Sequence, residues 1–310
     1  MRLSGSVRRL RFWRRGPPAR RVVAMLLAGL IGLVGAYSGL AVYKAKDYTT
    51  TPAQPFGAQT PAEHGMAYTA VTFAPQPDDG VSLEGWWIER EDAVRALVLV
   101  HGRYQDRTVM LALAKRLWER GYSLLLFDLR GHGRSASAGC TYGLREQWDV
   151  LGAVELVADR GYERASIGVL GWSLGGASAL LAMAQEPGLQ AVVSDSAYAD
   201  GSPLLARNLL RPGLKLALRV LHAVNIDAVR PARAVARAEA GRVFLIHGAE
   251  DRAVPLEHLR RIQASGGDRI AEIWIVDGAG HIGAFPAAPD EYAERVATFF
   301  SANLAATPAR

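Results

Sequence analysis

The hexapeptide GWSLGG places a serine, Ser173, in a stretch that three glycines make able to turn tightly. A serine hydroxyl attacks a carbonyl effectively only when a base accepts its proton and an acid orients that base. Two later segments supply candidates, because DGAGHIG contains His281 and IHGAEDRAVP contains Asp251. These residues predict acyl transfer, with Ser173 as nucleophile, His281 as base and Asp251 as the orienting carboxylate.

Other histidines and carboxylates compete for the roles of base and acid. His281 is favoured because it lies just past the last predicted strand, at the edge where open α/β sheets bind ligands. His132, in DLRGHGRS, is an alternative base, although we interpret it as a residue that organises its loop. Glu250 and Asp195 are the alternatives to Asp251. The remaining histidines are predicted at strand tips, in a linker, on a possible lid and on a surface helix: His101, His247, His64, His222 and His258.

Short apolar runs predict the strands that position these residues. Runs without polar alternation are buried on both faces, as in a parallel sheet. Longer stretches of helical periodicity separate the runs, so the chain alternates strand and helix as a doubly wound α/β sheet does. Ser173 stands between a strand and a helix, the context that a nucleophile elbow requires. The runs are ALVLV (96–100), SLLLF (123–127), SIGVLG (166–171), AVVSD (191–195), VFLIH (243–247) and EIWIV (272–276).

Two further segments modify this plan. Residues 68–74 and 81–89 are rich in β-branched and aromatic residues and flank the turn sequence PQPDDG, which predicts an N-terminal antiparallel hairpin. Between about 199 and 240 there is no clear strand, and Pro212 can begin a helix, so we predict a small helical cap. The helix is either an ordinary cap helix with a solvated face or a lid that also touches lipid. Its polar face is formed by Lys215, Arg219 and His222.

The N-terminal region predicts attachment to a membrane. Residues 1–21 form a basic tail with eight arginines and no acid, and residues 22–43 carry no charge. At about 1.5 Å per residue, a helix over 22–43 crosses a hydrocarbon layer of about 30 Å. Its length and its poor cleavage sequence favour an uncleaved transmembrane signal anchor over a cleaved signal peptide. Residues 44–65 are predicted to be a linker, and residues 66–304 to be one globular domain.

The distribution of charge predicts the topology and argues against one class of partner. Arginines precede the apolar span and only Lys44 and Lys46 follow it closely, which predicts a cytoplasmic N-terminus and an extracytoplasmic domain, periplasmic in a Gram-negative cell. The net charge of the chain is +6, and the eight arginines of the tail contribute +8. The remainder therefore carries about −2, and we predict no nucleic-acid binding. Cys140 is the only cysteine, which excludes an internal disulfide, and it is predicted to be buried.

Five segments in order, between about residues 66 and 303, resemble the α/β-hydrolase superfamily, and within it the Bem46-like or alpha/beta-hydrolase-domain group of membrane-anchored serine hydrolases. The segments are LVLVHG, FDLRGHGRS, GWSLGG, IHGAEDRAVP and GAGH. The order Ser173, Asp251, His281 is that of the catalytic residues in this fold. The resemblance implies a mostly parallel, doubly wound sheet with an N-terminal hairpin and a small helical cap, preceded by one transmembrane helix.

The resemblance also implies an activity. Such enzymes bind the reaction oxyanion with two backbone N–H groups, here those of Leu174 and Arg103, with Tyr104 as the alternative to Arg103. The segment HGRYQDR departs from the HGGG pattern of many lipases. We expect cleavage of a carboxylic ester or thioester through an acyl-enzyme, on a small-molecule or lipid-like acyl substrate, without metal or organic cofactor. A peptidase or amidase with the same triad and a non-catalytic binding module of this fold are the alternatives.

Overall fold

An eight-stranded sheet forms the centre of the computed structural model, which describes residues 18–51, 56–205 and 208–307. The strands are β1 (Thr69–Phe73), β2 (Leu83–Ile88), β3 (Ala96–Val100), β4 (Ser123–Phe127), β5 (Ile167–Trp172), β6 (Ala191–Asp195), β7 (Arg242–Gly248) and β8 (Ile270–Val276). Their spatial order is β1-β2-β4-β3-β5-β6-β7-β8. Strands β3 to β8 pair in parallel, whereas β1 pairs with β2 and β2 with β4 in antiparallel fashion. The mostly parallel sheet with an N-terminal hairpin is therefore confirmed.

Helices cover both faces of the sheet. They are α1 (Pro18–Thr49), α2 (Leu111–Glu119), α3 (Glu146–Asp159), α4 (Leu174–Met183), α5 (Arg211–Leu221), α6 (Pro231–Arg237), α7 (Glu257–Gly266), α8 (Ala284–Ala287) and α9 (Pro289–Asn303). Residues of α2, α8 and α9 belong to one hydrophobic core, and residues of α3, α4, α6 and α7 to the other. This double covering explains the continuous apolar runs.

Strand β3 shows how one short run supplies both cores. Val98 and Val100 pack into one core, and Leu97 and Leu99 pack into the other, because successive side chains of a strand point to opposite faces. All four side chains are fully buried. Cys140 is buried as predicted, and burial raises the pKa of its thiol to about 12.

The cap lies between β6 and β7 and is helical. It contains α5 and two short 3-10 helices, Ser202–Leu204 and Ile226–Ala228. Helix α6, which falls inside the predicted cap range, instead packs against α4 and α7 in the layer that covers the sheet. Helix α5 thus stands apart from that layer, and its principal helical neighbour is α1.

Helix α1 is long and apolar enough to cross a membrane, and its most apolar 18-residue stretch is wholly exposed to solvent. The prediction placed the end of this helix at Tyr43 and a linker after it. The structure extends the helix to Thr49, because Ala41, Ala45 and Thr49 recur every fourth residue and are buried. Thr49 contacts His222 of the cap through its hydroxyl and the N–H of Cys140 through its carbonyl, so packing against the domain accompanies the extension of the helix into the predicted linker. Residues 1–17 of the basic tail and 52–55 of the linker lie outside the described residues.

Candidate active site

Ser173 occupies a strained turn between β5 and α4. Its φ of 50° and ψ of −108° lie outside the regions that side chains with a Cβ prefer. Two hydrogen bonds hold this conformation: the Ser173 N–H donates to the carbonyl of Asp195 at 2.8 Å, and the Ser173 carbonyl accepts from the N–H of Ala177 at 2.9 Å. The turn presents the hydroxyl at the carboxyl end of the sheet, as the predicted elbow requires.

The glycines of GWSLGG are needed because backbones meet around the turn. A Cβ on Gly175 would lie 2.3 Å from the carbonyl oxygen of Val100, and one on Gly171 would lie 2.3 Å from the carbonyl carbon of Gly175. These partners belong to the sheet and to the helix that follows the turn, so they cannot move aside as a flexible side chain can. The sequence pattern is therefore the consequence of close packing between α4, β5 and β3.

The three candidate residues form one continuous hydrogen-bonded row. Ser173 Oγ lies 2.9 Å from His281 Nε2, and His281 Nδ1 lies 2.7 Å from Asp251 Oδ2. Asp251 follows β7 and His281 follows β8, so adjacent parallel strands deliver both residues to the same edge of the sheet as Ser173. An ionised Asp251 can only accept, which assigns a proton to Nδ1 and leaves Nε2 free to accept the hydroxyl proton.

The surroundings of Asp251 favour its ionised form. Burial by itself raises the pKa of this carboxyl, but the hydrogen bond from His281 and the N–H of Val254 outweigh burial, and the net pKa is lowered. Oδ1 accepts from the N–H groups of Ala253 and Val254 at 2.9 and 2.8 Å. A carboxylate with these donors is fixed in position as well as in charge.

The structure places the competing acids elsewhere. The buried carboxyl of Asp195 accepts hydrogen bonds from Ser196 Oγ at 2.8 Å and from Tyr292 Oη at 3.1 Å, and burial raises its pKa to about 7. Glu250 is exposed. Neither carboxyl forms a hydrogen bond with His281 among the described residues, whereas Asp251 does.

The competing histidines have structural partners. His101 donates to the carbonyl of Gly102 and accepts from the N–H of Leu129, while burial lowers its pKa to about 4. His132 donates to the carbonyl of Arg130, and burial lowers its pKa to about 4 as well. His258 was predicted at the start of a surface helix, and it is the second residue of α7. Its ring is nevertheless buried, and its Nδ1 accepts from the N–H of Ala199 at 3.0 Å, because α7 packs against the segment that follows β6.

A cavity of about 690 Å³ opens beside Ser173 and His281 and is called the Ser173 cavity below. Arg103 and Tyr104 form part of its wall, so the loop after β3 borders Ser173. Leu174 is the first residue of α4, where N–H groups have no acceptor within the helix. The guanidinium of Arg103 points away toward α1 and donates to Tyr142 Oη and to the carbonyl of Tyr48. The remaining wall is largely apolar: Val109, Trp172, Ala253, Ile282, Phe285 and Pro286.

Two supporting side chains had no signal in the sequence. Gln105 Oε1 accepts from the N–H of Gly102 at 2.9 Å and braces the loop beside Ser173. Ser196 Oγ accepts from the N–H of Ile282 at 3.1 Å and ties the loop of His281 to the end of β6. Within residues 18–51, 56–205 and 208–307, no group of three or more metal-binding side chains is arranged to hold an ion.

Known proteins resemble this chain in sequence. A family model described as serine aminopeptidase, S33, matches residues 91–237, a range that contains Ser173 and ends before Asp251 and His281. The uncharacterized protein YfhR of Salmonella typhi is 30% identical over 245 residues, which cover 73% of this chain and 77% of that protein.

Solved structures resemble it in fold. The esterase Pf2001 of Pyrococcus furiosus has a TM-score of 0.66 at 23% identity, covering 82% of this chain and 100% of that chain. A puromycin-hydrolyzing peptidase of Mycobacterium tuberculosis has a TM-score of 0.63 at 18% identity, covering 78% of this chain and 40% of that chain. At these identities the likeness establishes the arrangement of strands and helices, and it includes both an esterase and a peptidase.

Proposed function

The chain belongs to the α/β-hydrolase superfamily, within its Bem46-like group, and on that premise we propose that it is a serine hydrolase that cleaves carboxylic esters or thioesters. The observation that carries the proposal is the unbroken row of hydrogen bonds from Ser173 through His281 to Asp251 at the wall of the Ser173 cavity. A nucleophile, a base and an orienting acid in this geometry are the requirements of acyl transfer.

The reaction proceeds in two halves. His281 Nε2 takes the proton of Ser173 as Oγ attacks the acyl carbon, and the N–H groups of Leu174 and Arg103 bind the oxyanion, with Tyr104 as the alternative second donor. His281 then gives its proton to the leaving alkoxide or thiolate, and an acyl-Ser173 ester remains. Water, deprotonated by His281, attacks this ester and releases the acid. Asp251 orients the imidazole and stabilises its positive charge throughout.

The wall of the Ser173 cavity favours an uncharged acyl substrate over the substrate of an aminopeptidase. An aminopeptidase must bind the α-ammonium group of its substrate, and a carboxylate is the usual partner. The described residues that line this cavity include no carboxylate, and most of them are apolar. An ester or thioester fits these surroundings without leaving a buried charge unpaired.

Labelling with a fluorophosphonate tests the nucleophile. The wild-type full-length chain in detergent micelles should be labelled, Ser173→Ala should not, and Ser301→Ala, which changes an exposed serine on α9, should be labelled as wild type. Removing the nucleophile should also lower kcat on a generic ester by about 10⁴-fold or more. Full activity of folded Ser173→Ala would refute the mechanism, and absent labelling of folded wild type would favour a non-catalytic binding module.

A panel of substrates tests the class of bond. Short and long acyl esters, matched thioesters and aminoacyl amides are compared by kcat/KM. We expect esters or thioesters to exceed amides. Activity confined to amides would replace the esterase with a peptidase or amidase on the same triad.

We also propose that α1 anchors the protein in a single pass, with the N-terminus in the cytoplasm and the hydrolase domain outside it. The arginines before the apolar span support this orientation. Alkaline phosphatase fused after Arg310 should be active, because that reporter enzyme is active only outside the cytoplasm. Activity of a cytoplasm-only reporter at the same position would reverse the orientation.

A further inference from the structure

The outer face of α5 is apolar and uncovered. Leu209, just before the helix, and Pro212, Leu216 and Val220 within it recur at intervals of three or four residues and therefore share one side. The three aliphatic side chains are 92%, 63% and 68% exposed, respectively. We call these four residues the outer face. Such a face in water needs a partner to cover it.

Helix α5 packs against α1 and is hydrogen-bonded to it near both ends. At one end Tyr37 Oη donates to the carbonyl of Leu209 and accepts from the N–H of Gly213, both at 3.0 Å. At the other end Thr49 Oγ1 lies 3.2 Å from His222 Nδ1. The two helices therefore run side by side in the same direction, and each level of α5 corresponds to a known level of α1.

That correspondence sets the depth of α5. Tyr37 lies six residues before the end of the uncharged span at Tyr43, about 9 Å deeper at the rise of an α-helix. The start of α5, beside Tyr37, is thus level with the apolar part of α1. Arg219, toward the other end, falls near the level of Lys44 and Lys46, where an interface with lipid headgroups would lie. Arg211 and Lys215 lie at deeper levels of α5, but Arg211 donates to the carbonyl of Ser202 and Lys215 donates to Asp227 Oδ1, so both side chains are held by cap residues.

A second cavity, of about 420 Å³, lies where α1 and α5 meet the domain. Tyr48 of α1 and Leu210 and Leu214 of the α5 region line it, and its polar lining includes Lys44, Asp47 and Asn208. Arg103 and Tyr104 line this cavity and also the Ser173 cavity. The wall that separates the two spaces is therefore formed in part by the loop that borders the nucleophile.

We propose that α5 is immersed in the leaflet beside α1, and that an ester-linked acyl lipid of that leaflet enters beside the start of α5 and reaches Ser173 by way of the second cavity. The occupant of the outer face is lipid rather than a protein, because that face continues the lipid-facing surface of α1 at the same depth. The passage of lipid rests on the proposed hydrolase function, whereas the immersion of α5 does not.

Site-specific fluorescence tests the immersion. Leu216→Cys is labelled with an environment-sensitive dye in the full-length chain and reconstituted in phosphatidylcholine vesicles. The native Cys140 is buried and its thiol pKa is raised, so it should not react. The dye at 216 should be blue-shifted and quenched by spin-labelled lipids, whereas the same dye in Ser301→Cys should not. A dye at 216 that water-soluble quenchers reach as readily as the dye at 301 overturns the immersion, and a partner protein would then be the better occupant.

Paired substrates test the passage of lipid. Leu216→Glu with Val220→Glu should leave hydrolysis of soluble p-nitrophenyl butyrate within about twofold, but should lower hydrolysis of dioleoylglycerol in phosphatidylcholine vesicles by about tenfold. Ile275→Glu, an exposed position on β8, is the matched control and should affect neither. Equal loss on both esters, or wild-type activity on the soluble ester alone, overturns the passage. A wild type inactive on both esters contradicts the hydrolase function itself, and the fluorescence at 216 still decides the immersion.

Discussion

Among the glycines that allow close approaches in this molecule, Gly175 and Gly213 differ in what they approach. Gly175 lies at the triad edge, the end of the sheet that carries Ser173, Asp251 and His281, and an added Cβ would meet the backbone carbonyl of Val100 at 2.3 Å. Gly213 lies at the α1–α5 contact, and an added Cβ would meet the Tyr37 ring at 2.6 Å. Backbone in a sheet cannot yield, whereas a side chain can turn. The backbone at the triad edge is therefore rigid, whereas rotation of a side chain can change the packing at the α1–α5 contact.

Asp251→Asn should cause the largest effect and confine it to the triad edge. The N–H groups of Ala253 and Val254 require an acceptor at the Oδ1 position, so the amide N–H₂ would face His281 Nδ1. His281 would then carry its proton on Nε2 and could not accept the proton of Ser173. We expect kcat to fall by on the order of 10⁴-fold, measured with a soluble ester. The dye at position 216 should report unchanged depth, and retention of a tenth of the activity would contradict the assigned role of Asp251.

Gly175→Ala should be the most destabilising of the glycine changes. Overpacking against backbone is expected to lower the free energy of unfolding by about 3 kcal/mol, measured by denaturant unfolding in micelles. Gly213→Ala should lose less than half of that, because only the Tyr37 ring must move. Gly280→Ala, where an added Cβ meets nothing within 4 Å, is the control. Similar losses at 175 and 213 would remove the distinction between a rigid edge and an adjustable contact.

The same difference explains how much the sequence could predict. The strands and the meeting of Ser173, His281 and Asp251 at one edge were predictable because each depends on a local pattern: an apolar run, a glycine-flanked serine, or a polar residue just after a strand. The α1–α5 contact depends instead on residues far apart in sequence, such as Tyr37 and Leu209. The polar residues of α5 were visible in the sequence, but the outward direction of Leu216 was not, because an amphipathic pattern does not identify which face meets the core.

The pH dependence of stability should also belong to the triad edge. Because burial raises the pKa of Asp195 to about 7, the folded carboxyl keeps its proton over a pH range in which the unfolded carboxyl, with an ordinary pKa of 3.8, loses it. This group therefore favours the folded state at low pH, and that advantage declines as pH rises from about 4 and is gone above about 7. Asp195→Asn cannot titrate. Its Tm relative to wild type should rise by roughly 3 °C between pH 5 and pH 8.

The comparison with wild type at each pH isolates Asp195 from the other titrating groups. Buried His101 and His132 also have lowered pKa values. Because both histidines are present in both proteins, their contribution to the pH dependence cancels in the difference between the two Tm values. Thermal unfolding in micelles, followed by circular dichroism, gives the two Tm values. A difference in Tm that stays constant from pH 5 to pH 8 would mean that Asp195 is ionised in the folded protein.

Tyr37→Phe should have the smallest effect on activity and should act only on the α1–α5 contact. The change removes a donor to the Leu209 carbonyl and an acceptor for the Gly213 N–H, and no water replaces them if this level lies in lipid. Loss of these bonds should weaken the contact by about 1–3 kcal/mol. A spin label at Leu216→Cys should become more mobile in vesicles, while kcat on a soluble ester stays within about twofold.

Tyr43→Phe, an exposed position six residues further along α1, is the control. If Tyr37→Phe lowered soluble-ester activity as strongly as it loosened α5, the two regions would be mechanically coupled, and the α1–α5 contact would have to be treated as part of the active-site scaffold.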